Sequence, residues 1–181
     1  MSTLRIEERF TVDVPPARVF EYLTDPQRIV GCLPGASLSE VTDDGVYHGN
    51  IRVKLGAASI AYRGSMSFTE VDADAGLMRV EGAGRERTGA GGVKLVMEGR
   101  VLEVDEGSEV VVDARVKLAG KIVRFARGML QSVSREVFRQ FSECFARTIA
   151  EGRDADGESS DVEEVSATKL LGKALLRSLK K

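Results

Sequence analysis

Apolar and polar residues alternate from the start of the chain. Across residues 4–14, Leu4, Ile6, Phe10 and Val12 are set against Arg5, Glu7, Arg9, Thr11 and Asp13, the period of two expected of a strand with one buried face. Glu8 falls on the apolar column. Buried there, its carboxyl would be desolvated and pushed upward in pKa; a bulge at Glu7-Glu8 that turns it to water is the expected outcome. Pro15-Pro16 stops the strand, and Pro16 suits the first turn of a helix whose apolar face is Val19, Phe20, Tyr22 and Leu23. Asp25-Pro26 opens a second short helix that ends before Leu33-Pro34-Gly35.

From residue 36 to 118 the period of two returns, in runs near 36–42, 46–55, 58–71, 76–82, 92–104 and 108–118. Turn residues separate them: Asp43-Asp44-Gly45, Gly56, Asp72 to Gly76, the Gly82–Gly92 stretch and Asp105-Glu106-Gly107. Six hairpin-linked strands form an antiparallel meander. Shifts of apolar parity near Phe68–Val71 and near Gly99–Leu102 predict two bulges, which would curl the meander into a grip. Residues 121–150 change to helical spacing, with Ile122, Phe125, Met129, Val133, Val137, Phe141, Cys144 and Phe145 on one stripe, as one helix of about 28 residues and roughly 40 Å. Only the curved sheet is large enough to cover that stripe. The expected architecture is therefore α+β in the order β-α-α-β6-α, a seven-stranded antiparallel sheet wrapped round a long C-terminal helix.

Composition narrows the class. At 181 residues, 43% hydrophobic and 30% charged, the chain is neither a disordered polymer nor a bundle of membrane spans. Its net charge of −2 hides an uneven distribution. Residues 1–150 are close to balanced, residues 151–164 carry seven acids and one arginine, and residues 165–181 carry five bases and no acid. The organisation expected is a ligand-binding body over 1–150, an acidic flexible linker over 151–164, and a basic amphipathic helix over 165–181. Cys32 and Cys144 are too few for a disulfide framework, so buried free thiols and a reducing, cytosolic compartment are expected. No signal-peptide core or uncharged apolar stretch of spanning length occurs, so any membrane contact is expected to be peripheral.

Several stretches together resemble a known family. Leu33-Pro34-Gly35-Ala36 follows the paired helices, and Tyr47-His48-Gly49 leads to Val53-Lys54-Leu55-Gly56. Tyr62-Arg63-Gly64 comes next, and Gly120-Lys121 is followed by Phe125-Ala126-Arg127-Gly128. Over residues 4–150 this pattern is similar to the carbon monoxide dehydrogenase CoxG family of the START-like helix-grip superfamily, whose members bind lipids. The resemblance implies a helix-grip fold and a molybdenum-containing CO dehydrogenase as partner. It also implies that the protein brings that enzyme to the membrane. Because the enzyme's electrons must reach a quinone confined to the bilayer, a respiratory quinone, menaquinone or ubiquinone, is the inferred cargo, with no covalent cofactor.

Inward strand parity then selects the cavity lining: Tyr47, Ile51, Val53, Tyr62, Met66, Phe68, Met78, Val80, Leu95, Met97 and Val112. Met129, Val133 and Phe141 face them from the helix, and Leu33 and Phe125 are added at its ends. Methionines and aliphatics adapt to irregular apolar guests, and the many glycines with no Trp leave such a lining loose. Periodicity alone favours a tightly packed core, and it is the resemblance to a lipid-binding superfamily that turns the expectation to a cavity. In the tail, Lys169, Lys173, Arg177, Lys180 and Lys181 gather on one arc of a helix, with Leu170, Leu171, Leu175, Leu176 and Leu179 on the rest. A basic face opposite a leucine face suits an anionic membrane surface. The same helix could dock on the body or on a protein, or remain disordered.

Catalytic readings are weak. His48 is the only histidine and shares the outward parity of Asn50, Arg52 and Lys54. No cluster has metal spacing, and a lone histidine builds neither a nucleophile triad nor a His-based metal site. The Gly82–Gly92 stretch joins strands without a GK[ST], so it reads as a flexible hairpin or a flap at the cavity mouth, not a phosphate loop. Balanced charge over 1–150 argues against nucleic acid. An adaptor without a ligand of its own is the alternative, and an enzyme that cyclises or hydrolyses small aromatics is a third reading.

Overall fold

The computed structural model describes residues 1–125 and 127–152. β1 (Ser2–Val12) leads through α1 (Pro16–Leu23), α2 (Pro26–Ile29) and a 3-10 turn at Val30–Cys32 into the meander. The meander comprises β2 (Ala36–Val41), β3 (Val46–Leu55), β4 (Ala58–Asp72), β5 (Leu77–Glu86), β6 (Gly92–Val104) and β7 (Gly107–Ala119), and the chain closes with α3 (Arg127–Glu151). Every strand pairs antiparallel with its neighbour in the order β1-β7-β6-β5-β4-β3-β2, so the first strand returns beside the last. The order β-α-α-β6-α is the one the periodicity predicts.

Local chemistry explains the helices. Pro16 opens α1, which buries Val19, Phe20, Tyr22 and Leu23, and the Asp25 side chain caps α2 by accepting a hydrogen bond from the Gln27 N–H at 3.2 Å. The sheet curls where glycines are stacked across strands. Gly49, Gly64 and Gly84 pair directly on β3, β4 and β5. A Cβ at Gly49 would lie 2.4 Å from the Ser37 carbonyl oxygen, and one at Gly64 would lie 2.2 Å from that of Ala83. Only a residue without a side chain permits strands to approach so closely there.

The inner face carries two separate cores. The first joins Val12, Val19, Phe20, Leu23, Met78, Val101 and Val110 to the C-terminal half of α3 through Phe141, Phe145 and Ile149. Phe10 meets the rings of Phe138, Phe141 and Phe145 within 5.7–6.2 Å in edge-on contacts. The second joins Leu4, Leu55, Ile60, Tyr62 and Leu118 to Ile122, just before α3, and to Leu130 and Val133 in the N-terminal half of α3.

Several sequence expectations need correction. The bulge near Phe68 is present, as a register shift between Phe68 and Glu70, and a further shift lies between Leu38 and Glu40. The one expected near Gly99–Leu102 is not. β6 keeps continuous register with β7, so Val101 stays inside at 5% exposure and Leu102 faces out. Two adjacent apolar residues there mimic a change of parity. Glu8 forms no bulge either: β1 pairs with β7 without a shift, which leaves Glu8 inward, half-buried and opposite Val112. The first strand ends at Val12 rather than 14, and β5 runs on to Glu86 instead of stopping at residue 82. The helix expected over 121–150 is interrupted. Lys121–Arg124 form a 3-10 turn, Phe125 is extended, and α3 begins at Arg127.

The two cysteines are not free. Cys32 and Cys144 form a disulfide between the 3-10 turn and α3, bridging a sequence separation of 112 residues. The expectation of thiols is overturned, and the reducing compartment read from them loses its basis. No helix among the described residues is long and apolar enough to cross a membrane. The acidic linker from residue 153 and the whole basic tail, including Lys169 to Lys181, lie outside the described residues.

Candidate functional site

Between the two cores runs a belt of the inner face that belongs to neither. Its side chains are Tyr47 and Ile51 on β3, Met66 on β4, Val80 on β5, Leu95 and Met97 on β6, and Glu8 on β1; five glycines, Gly49, Gly64, Gly82, Gly84 and Gly99, share that face. Val80 is buried, whereas Tyr47, Met66, Leu95 and Met97 are half-buried and Ile51 is 37% exposed. Apart from Val80, these inward apolar side chains lack the full cover of a packed core, whose members sit near zero exposure. The glycines remove five further side chains from the same belt. Tyr47 meets Phe68 edge-on at 6.2 Å, which ties the belt to the first core.

The remaining residues singled out from sequence fall to either side. Leu33, Phe68, Met78, Val112 and Phe141 belong to or pack against the first core, and Val53, Tyr62, Phe125, Met129 and Val133 to the second. Tyr47, Ile51, Met66, Val80, Leu95 and Met97 are the ones the fold gathers between them. His48 pairs with Ser65 on the outer face, away from the belt.

Polar groups on the inner side are few. Tyr62 stands directly opposite Glu86, and its hydroxyl is buried without a hydrogen-bond partner. Burial pushes the phenol upward in pKa, with the Glu86 carboxylate adding to the shift. The Glu86 side chain is only 4% exposed, and the ammonium of Lys121 lies 3.7 Å away. Gly89 and Gly91 close over that carboxylate: a Cβ on either would come within 2.8 Å of Oε2. Gln140 on α3 has a buried, unpartnered Oε1, while its Nε2 donates to Glu136 at 3.0 Å. Sequence reasoning missed Glu86 and Gln140. For Glu86 a signal existed, since Gly82, Gly84 and Glu86 continue the inward parity through a stretch whose glycines suggest a loop.

Among the described residues no group of three or more His, Cys, Asp or Glu is placed to hold a metal ion. The arrangement offers an apolar guest a greasy wall with isolated hydrogen-bonding groups at its ends. Two open concavities lie on the opposite face of the sheet. One, of about 400 Å3, is lined mainly by Val46, Ser65, Ser67, Glu81, Ala83, Lys94 and Val96, with Met66, Gly82 and Leu95 of the belt. The other, of about 800 Å3, lies among Arg63, Arg85, Lys94 and Lys117.

A long C-terminal helix gripped by an antiparallel sheet defines a helix-grip protein, and known structures of that class share the fold. A conserved protein from Geobacillus kaustophilus superposes with a TM-score of 0.69 at 18% identity, covering 83% of this chain and 95% of that one. A Thermus thermophilus protein gives 0.54 at 14% identity over 83% and 99% of the two chains. The ZhuI aromatase/cyclase from a Streptomyces species gives 0.50 at 14% over 83% and 93%. No curated protein matches the chain. The family model for the CoxG component of carbon monoxide dehydrogenase matches residues 9–150, and the chain belongs to that family.

Proposed function

We propose that the protein is a non-enzymatic carrier that holds a respiratory quinone, menaquinone or ubiquinone, in its interior and links a molybdenum-containing CO dehydrogenase to the membrane quinone pool. The observation that carries this reading is the glycine-rich apolar belt between the two cores, with half-buried Tyr47, Met66, Leu95 and Met97 on its walls. Membership of the CoxG family supports CO dehydrogenase as the partner. The amphipathic basic segment over 165–181 supports peripheral attachment to an anionic leaflet, since each cation near such a surface contributes about 1 kcal/mol. At the inner face of the cell membrane, the location the reading favours, the Cys32–Cys144 bridge would meet a reducing pool; Cys32 is 0% exposed, which slows thiolate attack.

Quinone transfer tests this directly. The full chain is incubated with vesicles containing menaquinone or ubiquinone, the vesicles are removed, and the protein fraction is extracted. Stoichiometric quinone in that fraction is expected; its absence for both quinones overturns the carrier reading. An adaptor without cargo is the second reading, favoured by one observation: the two open concavities of about 400 and 800 Å3 lie on the outer face of the sheet. On that reading the protein recruits CO dehydrogenase to vesicles and carries no quinone away from them.

A further inference from the structure

On the outer face several cations find carboxylates on neighbouring strands: Arg5 pairs with Asp113 at 2.9 Å, Arg9 with Glu109 at 3.1 Å and Arg79 with Glu98 at 3.1 Å. Like charges also face each other there, Arg5 opposite Arg115 and Asp113 opposite Glu7 and Glu98, but Arg5, Glu7, Asp113 and Glu98 each have an ion partner beside them. At the end of the sheet that backs the second core, the facing cations have none among the described residues. Arg63 stands directly opposite Arg85 on β4 and β5, and Lys94 directly opposite Lys117 on β6 and β7. Because Lys94 is itself opposite Ala83, two residues from Arg85, the two pairs lie side by side, across about 14 Å at the usual strand spacing. All four side chains are exposed, and none meets a carboxylate among the described residues.

Like charges directly opposite each other destabilise a sheet, so two such pairs in a row oppose folding unless something outside the fold neutralises them. They flank the concavity of about 800 Å3, whose lining also includes Gly64, Gly84, Gly92, the exposed Met1 and the buried Glu86, whose carboxylate lies 3.7 Å from the Lys121 ammonium. A hollow of that volume accepts a small molecule or a headgroup rather than the flat footprint of a folded partner. Cations beside an exposed methionine suit an amphiphile.

We propose that the concavity between Arg63, Arg85, Lys94 and Lys117 binds the phosphate of an anionic phospholipid and seats the outer face of the sheet on the membrane. This contact is separate from the C-terminal segment and does not depend on what the interior carries.

The test uses the full chain and vesicles of phosphatidylcholine with or without phosphatidylglycerol. Three proteins are compared by sedimentation: the parent, Lys94→Glu/Lys117→Glu, and the tail variant Lys173→Glu/Arg177→Glu. The sheet variant is expected to bind phosphatidylglycerol vesicles roughly tenfold more weakly, with binding to phosphatidylcholine alone unchanged. Its two new carboxylates again stand directly opposite each other, so no gain in melting temperature is expected of it. Lys94→Gln/Lys117→Gln, which removes the facing charges, should melt about 1–2 °C higher and bind the same vesicles more weakly by a smaller factor, which guards against a misfolded reversal variant. Parent-like binding by both sheet variants, or weakened binding of the Gln variant joined to a lower melting temperature, overturns the proposal. So does thermal protection of the parent by inorganic phosphate without any vesicle defect in the variants, which would mark a site for a free anion.

Discussion

Tyr62 and Glu86 face each other across β4 and β5 on the inner side of the grip. The tyrosine hydroxyl is buried without a partner, and the carboxylate beside it is almost fully enclosed. A buried hydroxyl that makes no hydrogen bond is a standing cost, and its removal leaves the apolar packing of the second core in place. Tyr62→Phe is therefore expected to stabilise the ligand-free protein by about 1 kcal/mol in urea unfolding. An equal loss would show that the hydroxyl is satisfied in solution.

The same phenol sets a pH dependence. Burial and the neighbouring Glu86 charge favour its neutral form, so the folded protein keeps the Tyr62 proton above the point where the unfolded chain releases it. That contribution to stability is complete below about pH 10 and declines as pH rises through the folded-state value. The parent should lose stability on the alkaline limb more steeply than Tyr62→Phe. Parallel limbs would contradict the assignment.

The Cys32–Cys144 bridge closes a loop spanning a sequence separation of 112 residues and joins the first core to α3. Constraining so long a loop in the unfolded chain is worth about 2–4 kcal/mol. Cys144→Ser should lower the unfolding free energy by that amount, and the parent in strong reductant should match it. Unchanged stability in both would show that the thiols are not linked.

Gly64 tests the curl of the sheet. A Cβ there would meet the Ala83 carbonyl oxygen at 2.2 Å and the Gly84 Cα at 2.7 Å, both backbone, so strand β5 must move. Gly64→Ala is expected to destabilise by roughly 1–3 kcal/mol, comparable to overpacking a core. At Gly45, where a Cβ meets nothing within 4 Å but φ is +80°, the cost is conformational only, which makes it a useful comparison in the same unfolding series.

Much of this fold could be read from the chain because its strands alternate cleanly and its turns carry Gly or Asp. The failures have physical causes. Val101 and Leu102 are both apolar, and the pattern alone does not say that only Val101 is inside. Glu8 interrupts an apolar column, yet the ladder with β7 outweighs the cost of turning one carboxylate inward. The break at Phe125 is hidden because Ile122, Phe125 and Met129 keep helical spacing across it. The disulfide is invisible in sequence because its halves are far apart along the chain and meet only once the 3-10 turn packs on α3. For the site, parity alone locates Tyr47, Met66, Leu95 and Met97, but not the gap between two cores that leaves them uncovered.

That gap can be challenged by filling it. Met97 is half-buried on the belt and belongs to neither core. Met97→Phe should occupy open space, keep stability within about 1 kcal/mol of the parent and reduce quinone uptake from vesicles. A solid interior would instead respond with an overpacking loss of roughly 1–3 kcal/mol.

Native mass spectrometry of the protein purified from cells growing with their own quinone pool addresses the carrier account most directly. The account predicts a population heavier than the bare chain by the mass of one isoprenoid quinone, released on mild activation and diminished in Met97→Phe. A single species at the mass of the chain alone, together with no adduct after incubation with quinone-loaded vesicles, would contradict it.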